Sequence, residues 1–170
     1  MEAIEAILTR RSIRKYRPEP VSAAMINQLL EAGMSAPSAQ NKKPWQIVVI
    51  TDREVIDEIP QFHPYSNMCK EAPLVICVCG DSVLSERYWV QDCAAVTENI
   101  LIAVRAIGLG AVWLGVYPVP ERVTGVRNLL KLPDNITPLN LIPVGHPAEE
   151  KPRFPGLDKA RVHYNRWQGE

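Results

Sequence analysis

A fold of mixed helices and strands, α/β or α+β, with a sheet covered by helices on both faces, is predicted by three observations. LVICVCG, at 74–80, is a continuous apolar run, the pattern of a strand buried on both faces. YWVQDCAAVTENILIAVRAI, within 82–107, lacks Gly and Pro, and its second half is apolar nearly all round. A helix of that kind is buried on most sides, and the central helix expected here could also serve a second subunit. QIVVIT, AVWLGVY and LNLIPVG add three further strand-like runs, interspersed with helical periods. Strand order is left open by these patterns. The 170 residues show no repeat, low-complexity segment or dividing linker, so one domain over 1–170 is expected.

Each element has a local justification. Ala3, Ile4, Ile7 and Leu8 recur at helical spacing over 2–11. Ser22 can cap a second helix with Met25, Ile26, Leu29 and Leu30 on one stripe, ended by Gly33 or Pro37. SAPSAQNKKPW, 35–45, holds two prolines and several small polar residues and reads as an ordered loop. QIVVIT, 46–51, is a strand, 53–60 a short helix, and HPYSN a loop. The long helix at 82–107 is stopped by Gly108. AVWLGVY, 111–117, is a strand, and Pro120 opens a helix running to about Leu130. LNLIPVG, 139–145, is a strand in which Pro143 argues for an edge or an end. The tail, 146–170, is polar and irregular.

Composition narrows the function. Lys plus Arg and Asp plus Glu both number 19, so no broad nucleic-acid or acidic-membrane surface is expected. No apolar run reaches the roughly 20 residues of a membrane span. The start, MEAIEAILTRR, carries two Glu ahead of its arginines, unlike a secretory leader with its basic first segment, so a cytoplasmic protein is expected. Cys69, Cys77, Cys79 and Cys93 fit that compartment as free thiols. Cys77 and Cys79 share a strand face, but without a second ligand pair they read as core residues and not as a zinc site.

Charge is concentrated locally. RRSIRKYRPEP brings Arg10, Arg11, Arg14, Lys15 and Arg17 into one short polar stretch. Arg offers a planar fork of donors that matches phosphate oxygens two at a time, and Ser12 adds a hydroxyl, so the group can surround an anion as well as form a solvated face. Lys151 and Arg153 form a second basic pair beside Glu149 and Glu150, and taken alone they are an ordinary charged loop. GLGAVWLG, 108–115, follows a helix and opens a strand, the reverse of a dinucleotide fingerprint. Its glycines suit a tight turn, with Gly115 letting backbone approach something flat. Trp45 and Trp89 read as core anchors, while Trp113, bracketed by Gly110 and Gly115, is a candidate to stack on a ligand. His63, His146 and His163 are scattered and read as polar surface or loop residues. With no nucleophile motif present, an enzymatic activity would rest on a cofactor.

Five stretches in order, RRSIRKY, SAPSAQNKKPW, APLVICVCG, GLGAVWLG and IPVGHPAEEKPRFP with HYNRW, carry a resemblance over nearly the whole chain. The chain resembles the FMN-dependent nitroreductase family in its short single-domain form. That resemblance implies an α+β, three-layer fold whose central sheet is mixed and mainly antiparallel. It also implies a homodimer with FMN at its interface, reduced by NADH or NADPH and reoxidised by a small-molecule electron acceptor. Position by position, Arg10, Arg11, Ser12 and Arg14 would contact FMN, Arg10 and Ser12 at the phosphate and Arg14 near the N1 and O2 edge. Pro37, Ser38, Ala39, Gln40 and Asn41 would reach it from the other subunit. Trp113, Leu114 and Gly115 would line the ring where a backbone N–H faces N5. Lys151 and Arg153 would close on the phosphate, and Asn67 and Lys70 match a further flavin-contacting pair of larger members. Some larger members have Glu-Gly where this chain has Gly115-Val116, and they carry an aromatic insertion over the flavin that this chain is too short to hold. Relatives also include dehalogenating and flavin-destroying enzymes. A non-catalytic anion or nucleotide binder remains the alternative from another class.

Overall fold

Leu74–Asp81 forms the inner strand β2 of the computed structural model, which describes residues 1–167. Its apolar residues alternate between two cores. Ile76 and Val78 pack on one face, and Val75, Cys77 and Cys79 on the other. β2 pairs antiparallel with β1 (Trp45–Ile50) on one side and with β5 (Ile136–Gly145) on the other. The first core is closed by α2 (Ala23–Met34) and α4 (Trp89–Ala106), and the second by α3 (Arg53–Phe62) and α5 (Pro120–Leu130). The fold is therefore α+β in three layers. Every named strand pair is antiparallel, and the parallel contact is confined to an isolated bridge between Ser12 and Ala111.

The expected strand at 111–117 is two short strands, β3 (Gly110–Ala111) and β4 (Leu114–Gly115). Both pair with β5 in one continuous register, Ala111 opposite Val144 and Leu114 opposite Leu141. The gap at Val112–Trp113 falls opposite Ile142 and Pro143, and Pro143 has no N–H to give to a ladder. Pro143 thus marks a break in its neighbour. The edge assignment fails, because β5 is an inner strand with partners on both sides.

Helix boundaries differ where side chains compete for the backbone. The Asp81 carboxylate accepts the N–H groups of Val83 and Leu84 at 3.0 and 2.9 Å, which turns the chain and delays α4 until Trp89. α4 ends as expected at Gly108, whose φ is 81°. The Gly108 and Leu109 N–H groups return to the Arg105 and Val104 carbonyls, a Schellman motif. Gly33 ends nothing: it lies inside α2, where an added Cβ would meet Ile100 Cγ1 at 2.9 Å, so its missing side chain lets α2 approach α4. α1 (Ala3–Thr9) buries only Ala6 and leaves Ile4, Ile7 and Leu8 exposed. Trp45 and Trp89 are buried as core anchors, and the four cysteines are unpaired and buried. Residues 146–167 are irregular apart from one 3₁₀ turn, Lys159–Arg161, and the end of the expected tail lies outside the described residues.

Candidate functional site

The basic arm is stitched to the sheet along both of its sides. Ile13 donates its N–H to the Ala111 carbonyl at 2.9 Å. Gly110 allows this approach, since a Cβ there would meet Ile13 Cγ2 at 2.7 Å and Cβ at 2.9 Å. Along the other side run residues 146–152. Arg17 N–H donates to His146 O at 2.8 Å and Ala148 N–H to Lys15 O at 2.9 Å. Lys151 Nζ donates to Ser12 O at 2.6 Å, Arg14 N–H to Glu149 Oε1 at 2.5 Å, and the Arg11 guanidinium to Pro152 O. Beneath the arm Tyr16 is buried, its hydroxyl within reach of the Ile13 and Pro143 carbonyls at 2.7 and 3.1 Å. Burial pushes its phenol pKa well up, so it stays neutral.

Two cavities flank this arm. The first, about 280 Å³, is lined by Arg10, Arg11, Arg105 and Lys151 together with Glu149 and Glu150. Arg10 Nε lies 3.6 Å from Glu98, and Arg105 Nε donates to Thr9 Oγ1 at 3.0 Å. The second, about 510 Å³, gathers Arg14, Asn67, Trp113, Leu114 and Gly115 from three parts of the chain, along with His63, Tyr65 and Arg122. A Cβ added at Gly115 would meet nothing within 4 Å, so the strand edge opens onto free space. The Gly115 carbonyl bonds to His63 Nε2 and Arg122 Nη1, both at 3.0 Å, on the side away from β5. In an extended residue the N–H and C=O point to the same edge, so the Gly115 N–H also faces away from β5.

The loop at 37–41 lies elsewhere. Ala39 and Gln40 line a separate cavity with Ser85–Tyr88. Asp92 Oδ1 accepts the Ala39 N–H at 2.8 Å, and Ser38 Oγ accepts the Lys43 N–H at 2.9 Å. Gln40, Asn41 and Lys43 have φ of 54°, 55° and 48°, a region uncommon for non-glycine residues and most frequent where surrounding structure enforces it. Within one chain, then, Ala39 and Gln40 line a different cavity from Arg10, Arg11 and Arg14, while Pro37, Ser38, Asn41 and Ser12 line none of these cavities.

Several expected positions stand differently. Lys151 points at Ser12 O and at Glu149, 3.4 Å away, which leaves it a third hydrogen for a ligand. Arg153 is exposed and outside the lining of the first cavity. Asn67 lines the second cavity, whereas Lys70, three residues on in the 3₁₀ turn Asn67–Lys70, is exposed and outside that lining. His63, expected at the surface or in a loop, lies just past the end of α3 and is 2% exposed. It, Arg122 and Arg105 join the two cavities without belonging to any motif. The weak signal for Arg122 was its place in the first turn of a helix opened by Pro120, beyond the glycine-rich strand.

A helix-covered antiparallel sheet carrying a cationic arm beside an open strand edge defines the structural class. The sequence profile of the nitroreductase family matches residues 7–76 and 60–146. A protein of Methanothermobacter thermautotrophicus with the provisional name NADH dehydrogenase/NAD(P)H nitroreductase is 45% identical over 98% of this chain and 88% of its own length. A crystal structure of a protein under the same provisional name from Parabacteroides distasonis superposes with a TM-score of 0.95 at 42% identity, covering 97% of this chain and 98% of that one. A provisionally named nitroreductase from Desulfovibrio desulfuricans, solved in complex with FMN, superposes with a TM-score of 0.82 at 31% identity, covering 96% of each chain. The chain belongs to the nitroreductase family.

Proposed function

We propose that the chain is an FMN-dependent oxidoreductase that uses NADH or NADPH to reduce flat, electron-poor acceptors such as nitroaromatics, quinones or free flavins. The observation that carries this reading is the pairing, in one cavity, of an open Gly115 peptide edge with the Arg14 guanidinium. A planar ring needs a wall without a Cβ, and a ring that gains electrons needs a nearby cation. Both fit FMN, as do the three guanidinium-bearing residues and the lysine of the first cavity for its phosphate. The FMN-bound relative and the names of the NAD(P)H-dependent relatives support the same assignment.

When bound, FMN supplies the two-electron chemistry, accepting hydride from the nicotinamide and passing reducing equivalents to the acceptor. The chain's residues bind, orient and tune. Arg10 and Ser12 would hold the phosphate, with Arg11, Lys151 and Arg153 adding positive charge. Arg14 would stand by the N1 and O2 edge, where two unit charges about 4 Å apart at an effective dielectric of 20 interact by about 4 kcal/mol. Trp113, Leu114 and Gly115 would line the ring, with Asn67 and Lys70 beside it. Pro37, Ser38, Ala39, Gln40 and Asn41 would come from the second copy of a homodimer, which accounts for the separate cavity at Ala39 and Gln40 and for the exposed apolar stripe on α1. Unpaired cysteines fit a reducing compartment, and the cytoplasm is the proposed location. Among the described residues, no helix is long and apolar enough to cross a membrane.

The test is direct. Purified protein supplied with FMN should be yellow and bleach on anaerobic addition of NADH or NADPH, and an acceptor should restore the colour. One site serving reductant and acceptor in turn gives parallel double-reciprocal lines. A protein that takes no FMN defeats the reading, and intersecting lines defeat the alternating use of one site.

A further inference from the structure

The end of β4 needs something to fix it. β4 is two residues long, it follows the break at Val112–Trp113, and beyond it the Val116 and Tyr117 N–H groups both turn to the Leu139 carbonyl at 3.1 and 3.0 Å. Gly115, without a Cβ, is the residue most free to rotate its flanking peptides. Its carbonyl has two lone pairs, and two side chains from different elements occupy them, His63 Nε2 and Arg122 Nη1. We propose that His63 and Arg122 are positioning residues, which hold the Gly115 carbonyl from outside the sheet and so fix the direction of the Gly115 N–H toward the second cavity. The functional consequence rests on reading that cavity as the flavin ring site.

The bracket is itself braced. His63 Nδ1 accepts the Tyr65 N–H at 3.3 Å, which leaves the ring proton on Nε2, where it is donated to Gly115. Burial favours the neutral ring, and the Arg122 charge adds to that. Arg122 in turn lies over the Tyr65 ring, 5.3 Å from its centroid, so the same tyrosine steadies both donors, one through its backbone and one through its ring. Arg122 comes from α5 and His63 from the end of α3, so the two helices on that face converge on one peptide.

His63→Leu and Arg122→Met remove the donors and keep apolar bulk, while His63→Gln and Arg122→Lys keep a donor. In FMN-loaded protein, the Leu and Met variants should shift the flavin midpoint potential and slow its bleaching by NAD(P)H about tenfold, the scale of one lost hydrogen bond. The FMN dissociation constant should move less than threefold, and the Gln and Lys variants should return toward wild type. Variants that melt as wild type does and keep its potential and bleaching rate overturn the proposal. If His63→Leu does not fold, Arg122→Met at a half-buried position decides alone. The Gly115 amide ¹H–¹⁵N shift in flavin-free protein separates the two layers of the argument. It should move in the Leu and Met variants whether or not wild type binds FMN, and an unmoved shift removes the bracket itself.

Discussion

At the scale of single residues, one carboxylate is among the groups that hold the arm. Glu149 accepts the Arg14 N–H, and this bond, with Lys151 beside it, keeps its pKa below the ordinary 4.5. A carboxyl depressed in the folded state contributes stability above its unfolded pKa and loses it as pH falls through the folded value. Glu149→Gln should therefore lower the melting temperature at pH 7, and the gap from wild type should close as the pH drops below about 4.5. Melting curves of both proteins from pH 7 to pH 3 check this, and a gap that does not change with pH would mean that charge is not the cause. The phosphate assignment is tested at the same scale. Arg10→Ala with Ser12→Ala removes one charged and one neutral partner, and should weaken FMN binding on the order of 100-fold. Flavin content after gel filtration reports it, and a double variant with full flavin content contradicts the assignment. These residues were legible in the sequence because Arg-Arg-Ser-x-Arg is local. His63 and Arg122 were not, since what makes them matter is a shared contact with a carbonyl 52 residues from one and 7 from the other.

At the scale of elements, the periodic segments declared themselves and the interrupted ones did not. β2 and the body of α4 were legible from apolar patterning, and Gly108 from its cap. The start of α4 was hidden because Asp81 captures two N–H groups that composition alone would give to a helix. The split of β3 from β4 was hidden because its cause sits on another strand, at Pro143. The arm and β3 form one unit through Gly110, and this yields a prediction about the pair. In Gly110→Ala the new Cβ collides with Ile13 Cβ, which is anchored to backbone and cannot swing aside, so the arm must lift. Because Ser12 and Arg14 flank Ile13, FMN affinity should fall at least tenfold while the two cores on the sheet faces keep their packing. Fluorescence titration of FMN against near-ultraviolet circular dichroism separates the two effects. Unaltered affinity would show that the arm's seating on β3 does not set the cofactor contacts.

At the scale of the whole molecule, the question is what covers α1. Ile4, Ile7 and Leu8 are 68%, 48% and 40% exposed, though their spacing is that of a buried stripe. Phe154, Leu157, Tyr164 and Trp167 of the irregular tail are exposed as well. Exposed apolar residues scattered singly are ordinary, but a helical stripe and an apolar tail together describe surface that a partner would cover. The proposed homodimer supplies that partner, and it also lets the 37–41 loop of one copy approach the arm of the other. Covering the stripe and completing the FMN site are then one event. Ile7→Glu with Leu8→Glu places two carboxylates in the contact, where their desolvation opposes association. The variant should sediment as a monomer at concentrations where wild type sediments at twice the chain mass, and it should lose FMN in proportion, since each site would lack its second half. Free FMN at rising concentration should restore the dimer fraction, because a ligand that binds only the dimer stabilises it by mass action. A monomeric variant that holds FMN as tightly as wild type would place every contact within one chain and undo the shared-site argument, whatever the oligomeric state of the wild type.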